Sequence, residues 1–191
     1  SNKSNGFHLC EYGCGVAPFA TTLLNPKFSK KESINALNLS LTLCDVDSEH
    51  FNFAKYRLQK IVKDYQLDVK LNFEEIKHDK LPNFKTKFNG VICFEVLEHV
   101  PSPIDAIKNI HKNMIDDALY IDNFIKHDDD DEDDDGPDLI SAKKEREGYH
   151  NFMFDNFNLG YPNIQEYRDN PDCTRIWQKK KKSFINFNVL N

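Results

Sequence analysis

No stretch of this chain approaches the roughly 20 consecutive apolar residues of a membrane span, and no signal peptide is visible at its start. The expected setting is therefore cytoplasmic. Cysteines are few and odd in number: Cys10, Cys14, Cys44, Cys93 and Cys173. Four of them fall in or beside predicted strands, which argues against a secreted disulfide framework. Cys10 and Cys14 lack a second pair at zinc-finger spacing, so no structural zinc is expected on cysteine. General acidity is missing too. The net charge is −6, but Asp128–Asp135 holds eight adjacent carboxylates, and removing them leaves the rest of the chain at +2. The charge balance thus says little about partners. Only one basic cluster is evident, Lys179–Lys182. It reads as an exposed strand end, and a nucleic-acid partner is not expected.

What the chain does have is enough length, 191 residues with 15 Phe and 39% hydrophobic residues, for one compact α/β domain with a sizeable core. Its organising stretch is Phe7–Ala20. A short apolar run ends at Glu11, Gly13 and Gly15 follow, and Pro18 opens a helix-tolerant segment from Phe19 to Leu24. This spells strand, tight turn and helix. The glycines permit positive φ and close approach of a ligand to the backbone. Pro18 suits a first helical turn, whose N–H groups are expected to face a polar ligand while Glu11 offers a carboxylate. A dinucleotide fingerprint would need a third glycine where Pro18 stands, so that match is broken.

Further along, Asn25–Asn38 is a long polar connection, with a short helical piece expected around Ile34–Leu37. Strand Leu39–Cys44 ends at Asp45, placed to bind ribose hydroxyls across the strand ends, with Asp47 or Ser48 better placed to cap the next helix. Glu49–Gln66 carries apolar residues at steps of three and four and reads as an amphipathic helix. Val69, Leu71 and Phe73 alternate as a third strand leading to Asp79, which stands either as a hydrogen-bond acceptor for an adenine amino group or as a solvated turn. Phe88–Phe94 is a continuous apolar strand, and Ser102-Pro103 opens a helix bearing Ile104, Ile107, Ile110 and Met114. Ala118–Phe124 is a fifth strand. His127–Gly136 is expected to be an exposed, mobile acidic loop. Asp138–Glu147 reads as a helix, and Tyr149–Tyr161 as core filling or a pocket wall. Asn163–Arg168 and Thr174–Lys179 read as two strands around Asn170-Pro171-Asp172, followed by a short alternating stretch, Ser183–Asn191. The alternation of strands and helices predicts a parallel sheet, with Glu11, Asp45, Asp79 and Glu95 at its carboxyl edge.

Glu11-Tyr12-Gly13-Cys14-Gly15, Asp45, Asp79 and the run Phe94-Glu95-Val96-Leu97-Glu98-His99-Val100 occur in the order of the class I S-adenosylmethionine-dependent methyltransferases. Together they resemble that family over nearly the whole chain, and the Glu-Val-Leu-Glu-His-Val run is the most specific piece. The resemblance implies a Rossmann-like, doubly wound, mostly parallel seven-stranded sheet with a reversed terminal strand. It implies one methyltransferase domain over residues 1–191 and S-adenosylmethionine as cofactor. The Gly13–Gly15 turn would face the methionine part and the ribose, Asp45 the ribose hydroxyls, and Asp79 and Phe94 would border the adenine. The candidate cofactor set is Glu11, Gly13, Cys14, Gly15, Asp45, Val46, Asp79, Phe94 and Glu95.

Three departures from the family pattern stand out. The connection before Leu39 is long, Asp116-Asp117 replaces the usual Gly-Gly turn before the fifth strand, and helices ahead of the first strand are expected to be absent. The chain therefore reads either as one domain of a longer protein or as a short version. Glu95, Glu98 and His99, with His150, partly resemble the metal-binding set of small-RNA terminal-ribose methyltransferases, and ubiquinone-pathway O-methyltransferases carry a similar run. The alternative is that Glu98 and His99 cap and orient the following segment, and no residue is assigned to a metal. His99 is the candidate base for a hydroxyl acceptor, since its ordinary pKa lies near working pH. The expected activity is methyl transfer to a hydroxyl or amine of a small-molecule acceptor, without a membrane partner. The alternatives are a non-catalytic cofactor-binding domain and a metal-assisted RNA ribose methyltransferase.

Overall fold

A computed structural model of the chain describes residues 6–77, 80–124, 138–169 and 173–181. The acidic segment 127–136, Asp79 and the stretch 183–191 lie outside them. The elements run β1 (His8–Tyr12), α1 (Pro18–Leu24), α2 (Lys31–Ala36), β2 (Leu39–Val46), α3 (Glu49–Asp64), β3 (Val69–Ile76) and β4 (Phe88–Cys93). A single 3₁₀ turn (Leu97–His99) follows, then α4 (Pro103–Lys112), β5 (Met114–Asp122), α5 (Ile140–Asn156), β6 (Phe157–Tyr161), α6 (Ile164–Asp169) and β7 (Arg175–Lys179). They form one seven-stranded sheet in the order β3-β2-β1-β4-β5-β7-β6. The β3, β2, β1, β4 and β5 pairings are parallel, whereas β7 runs antiparallel to both β5 and β6. This is the doubly wound sheet expected from the sequence, with its direction of winding reversing between β1 and β4.

Strand alternation sorts the core into two faces. Leu39, Leu41 and Leu43 of β2 pack with Ala20, Leu24, Phe51, Ala54 and Leu58 from α1 and α3. Cys44, Cys10 and Tyr12 instead join Ile107 and Ile110 of α4 and Tyr149 and Met153 of α5. A period of two on each strand therefore commits its neighbours to opposite helical layers. Helix starts are set locally: the Ser48 hydroxyl accepts from Phe51 N–H at 3.1 Å, and Ser102 from Asp105 N–H at 3.4 Å.

Several expectations are corrected. Asn163–Arg168 is not a strand but lies largely in α6, and the strand paired with β7 is Phe157–Tyr161. The segment read as a helix, Asp138–Glu147, and the first half of the aromatic segment form one helix, α5, whose Tyr149 and Met153 fill the core, while the rest of the aromatic segment is β6. The fifth strand begins at Met114, ahead of Ala118, and its register against β4 shifts between Phe88 and Gly90. Within that irregular stretch Asp117 takes φ 61°, the left-handed turn that glycine adopts more readily. The long connection before β2 accommodates α2.

One buried ion pair ties the reversed strand to the parallel part. Asp122 at the end of β5 and Arg175 at the start of β7 are both 0% exposed. The Asp122 carboxylate accepts from Arg175 Nε at 3.1 Å and Nη2 at 3.2 Å, from Trp177 Nε1 at 3.1 Å, and from the Tyr149 hydroxyl. Burial pushes the Asp122 pKa up, while the Arg175 charge and the Tyr149 and Trp177 bonds pull it down. Replacing Arg175→Met leaves that carboxylate in dry surroundings without its cation, with an expected loss of about 3–5 kcal/mol in urea unfolding. The double variant Asp122→Asn/Arg175→Met should lose clearly less than the two single losses added together, since the groups act as a pair.

Candidate functional site

The carboxyl ends of β2, β1, β4 and β5 lie side by side, and the loop after β1 bends among them. Gly13 and Gly15 take φ 65° and 50°, and Ala17, the residue before α1, takes φ 52°. The Gly13 and Cys14 amides both donate to the Cys44 carbonyl of β2, at 2.7 and 3.1 Å. A Cβ on Gly13 would run into both methyl groups of Val96, so only hydrogen fits beneath that side chain. Gly15 differs: nothing lies within 4 Å of where its Cβ would be. The loop is thus closed by protein at one glycine and open at the other.

Glu11 explains how the loop meets the helix. Its Oε1 and Oε2 accept from the Phe19 and Ala20 amides at 3.2 and 2.9 Å. The first-turn amides expected to face a ligand are therefore taken by Glu11, which caps α1 from the preceding strand because Ala17 has no side chain that can do so. Burial pushes the Glu11 pKa up, and the Ala20 and Phe19 bonds with the nearby Arg57 charge pull it back. Arg57 of α3 also donates to the Val16 carbonyl. The Cys14 thiol is buried, and burial followed by the Asp45 and Glu11 charges pushes its pKa well up. It stays a neutral thiol, unsuited to nucleophilic chemistry.

Asp45 and Val46 end β2. Asp45 Oδ2 accepts from the Gly15 amide, and Oδ1 from the Val46 amide at 2.7 Å. Val46 is 51% exposed, Val16 37% and Phe94 38%, so three apolar side chains face solvent at this one sheet edge. Glu95 follows Phe94 with φ 53°, and Asn123, just past β5, bonds to it twice. Sequence reading had no role for Asn123. Its signal was only its place at the end of the fifth strand.

His99 is on the 3₁₀ turn, exposed, with Nε2 4.0 Å from Glu98 Oε1. Burial pushes the Glu98 pKa up, with the Glu95 charge adding to it. His150 is brought elsewhere: buried in α5, its Nδ1 meets the Tyr167 hydroxyl at 2.7 Å. Among the described residues, no three His, Cys, Asp or Glu side chains converge as metal ligands, and Glu95, Glu98, His99 and His150 form no such group. A shallow groove lined by Gly6, His8, Lys87, Asn89 and Ile115 lies at the opposite, amino edge of the sheet, away from all these residues.

Residues 2–159 match the family described as "Methyltransferase domain". The chain belongs to this family, and its cofactor is S-adenosylmethionine. In fold it is similar to a S-adenosylmethionine-dependent methyltransferase from Methanosarcina mazei (TM-score 0.57, 15% identity, 92% of this chain and 93% of that one). It is likewise similar to the N-methyltransferase NodS from Bradyrhizobium japonicum, solved with S-adenosylhomocysteine (TM-score 0.56, 12% identity, 92% and 79%). The CurJ carbon methyltransferase also shares the fold (TM-score 0.56, 12% identity), with 95% of this chain covering 50% of that one. Against several further solved structures the chain spans less than half of their length. No curated protein shows significant sequence similarity to it. Among the described residues no helix is long and apolar enough to cross a membrane.

The residues present fit a nucleoside cofactor: an open glycine, a strand-end carboxylate beside it and exposed apolar side chains on adjacent strand ends. Gly13→Ala sets a methyl against Val96 on a left-handed backbone and should weaken S-adenosylhomocysteine binding by about tenfold or more, with a stability loss of about 2 kcal/mol. Shortening Val96→Ala in the same chain should recover part of both losses, measured by calorimetry and urea unfolding.

Proposed function

We propose that the 191 residues act as a single, cytoplasmic methyltransferase domain that methylates a hydroxyl or amine of a small molecule. The observation that carries this reading is the Asp45 carboxylate bonded to the amide of Gly15, beside open space. Each carboxylate oxygen can accept more than one hydrogen bond, so Asp45 can steady the loop and still receive ribose hydroxyls. The backbone of Gly13, Cys14 and Gly15 borders the methionine part and the ribose. Val46 and Phe94 offer apolar faces to the adenine, with Asp79 the proposed acceptor for its amino group. Glu11 serves the site by fixing the loop to α1, and Glu95 by its place beside Phe94.

The bound cofactor supplies a methyl group on a sulfonium, already activated for displacement. The protein's own task is alignment of the acceptor with that methyl, and removal of a proton where the acceptor is a hydroxyl. His99, exposed at the carboxyl end of β4 and beside the Glu98 carboxylate, is the proposed base. An amine acceptor with a free lone pair needs less help.

Calorimetry with S-adenosylhomocysteine, run beside methyl transfer to a panel of hydroxyl and amine acceptors, tests the proposal. Binding with transfer supports it, and binding without any transfer points to a non-catalytic cofactor module. Asp45→Ala should weaken binding by about tenfold. His99→Gln should leave binding near its original value while slowing transfer to a hydroxyl by about 10²–10⁴-fold.

A further inference from the structure

We propose that Asn123 is a positioning residue for the cofactor site, acting as a two-point clamp on the turn after β4. The inference rests on the cofactor reading above. Glu95 is the first link. It holds a left-handed backbone, φ 53°, at a position where a side chain makes that conformation unfavourable. The conformation persists only if something outside the residue fixes it.

Asn123 does so with both ends of its carboxamide. Its Oδ1 accepts from the Glu95 amide at 3.0 Å, and its Nδ2 donates to Glu95 Oε1. One bond fixes the backbone and the other the side chain. Asn123 itself is held in place because it follows Asp122, the carboxylate locked among Arg175, Trp177 and Tyr149. The clamp therefore transmits the rigidity of the β5–β7 junction to the end of β4.

What the turn positions lies on either side of Glu95. Phe94 precedes it and presents one of the exposed apolar side chains of the strand edge. Val96 follows it and sits over Gly13 so closely that a methyl there has no room. Releasing the clamp would let Phe94 and Val96 move together, and with Val96 the glycine loop loses its cover. Glu95, with its Oε1 engaged by Asn123, thereby orients its neighbours.

The pairing has a chemical sense that a swap can read. An amide matches the carboxylate of Glu95 and its N–H, whereas a carboxylate at position 123 would meet another carboxylate. Asn123→Asp should weaken S-adenosylhomocysteine binding by about tenfold or more, as should Asn123→Ala, with thermal unfolding of both near that of the unaltered chain. In Asn123→Asp/Glu95→Gln the donor and acceptor are exchanged across the pair, and binding should return to within about threefold of the original. Calorimetry on the 191-residue chain and its variants, with thermal unfolding alongside, reads all of these. Unchanged affinity in Asn123→Ala overturns the clamp, as does a double variant no better than Asn123→Asp. Affinity lost only in step with a collapse of folding also overturns it, reducing Asn123 to a structural residue. If the unaltered chain fails to bind S-adenosylhomocysteine, the cofactor reading falls first, and the clamp's role falls with it.

Discussion

The fit of Gly13 beneath Val96 is the constraint on which the carboxyl edge depends. Three strands meet there: Gly13 leaves β1, its amide is bonded to the carbonyl of Cys44 in β2, and Val96 comes from the turn after β4. A residue with a Cβ would have to push β4's turn away from β1 or break the bond to β2. Because packed interiors leave little slack, neither movement is cheap. The glycine thus sets how close the strand ends lie, and through them the width of the space beside Gly15.

Two buried carboxylates hold the edge from below, by different means. Glu11 spends both oxygens on the amides of α1, so the helix start is fixed to the end of β1 and the loop between them has little freedom. Asp122 is matched by Arg175 and fixes the reversed strand against β5. Each charge is buried, and each is surrounded by donors, as burial of an ion requires. The groups that the proposed cofactor site uses lie further out: Asp45, the Gly15 backbone, and the exposed side chains of Val46 and Phe94.

The fold was legible because its signals are local and repeated. Apolar runs end in acids at Glu11, Asp45 and Glu95, and the amphipathic stretch from Glu49 declares its helix by spacing alone. The glycine loop was legible for the same reason, since Gly13 and Gly15 follow a strand directly. What escaped was settled by contacts distant in sequence. Asn163–Arg168 reads as a strand because the turn signal Asn170-Pro171-Asp172 follows it, but Ile164 and Tyr167 stand three apart, a helical step, and β7 pairs instead with Phe157–Tyr161. The cap made by Glu11 was hidden because nothing in its neighbourhood reveals that the Phe19 and Ala20 amides turn back to it. Asn123 gives no sign of its partner at all, for Glu95 lies 28 residues earlier and meets it only across β4 and β5.

This pattern bears on why a fold can be shared at 12–15% identity with solved methyltransferases. When the reacting group arrives already activated, the protein must supply alignment more than reactive side chains. In the proposed site the edge is shaped by backbone: the sign of φ at Gly13 and Gly15, the carbonyl of Cys44, the amide of Gly15. Few side chains are needed to specify those features. One must be absent, at Gly13. One must be an acceptor, at Asp45. One must be bulky enough to close the loop, at Val96. Beyond these, the Glu11 cap and the Asp122–Arg175 and Asn123–Glu95 pairs, the demand on the sequence is that the strands stay apolar and their ends stay level, which leaves wide latitude while the geometry of the edge stays fixed.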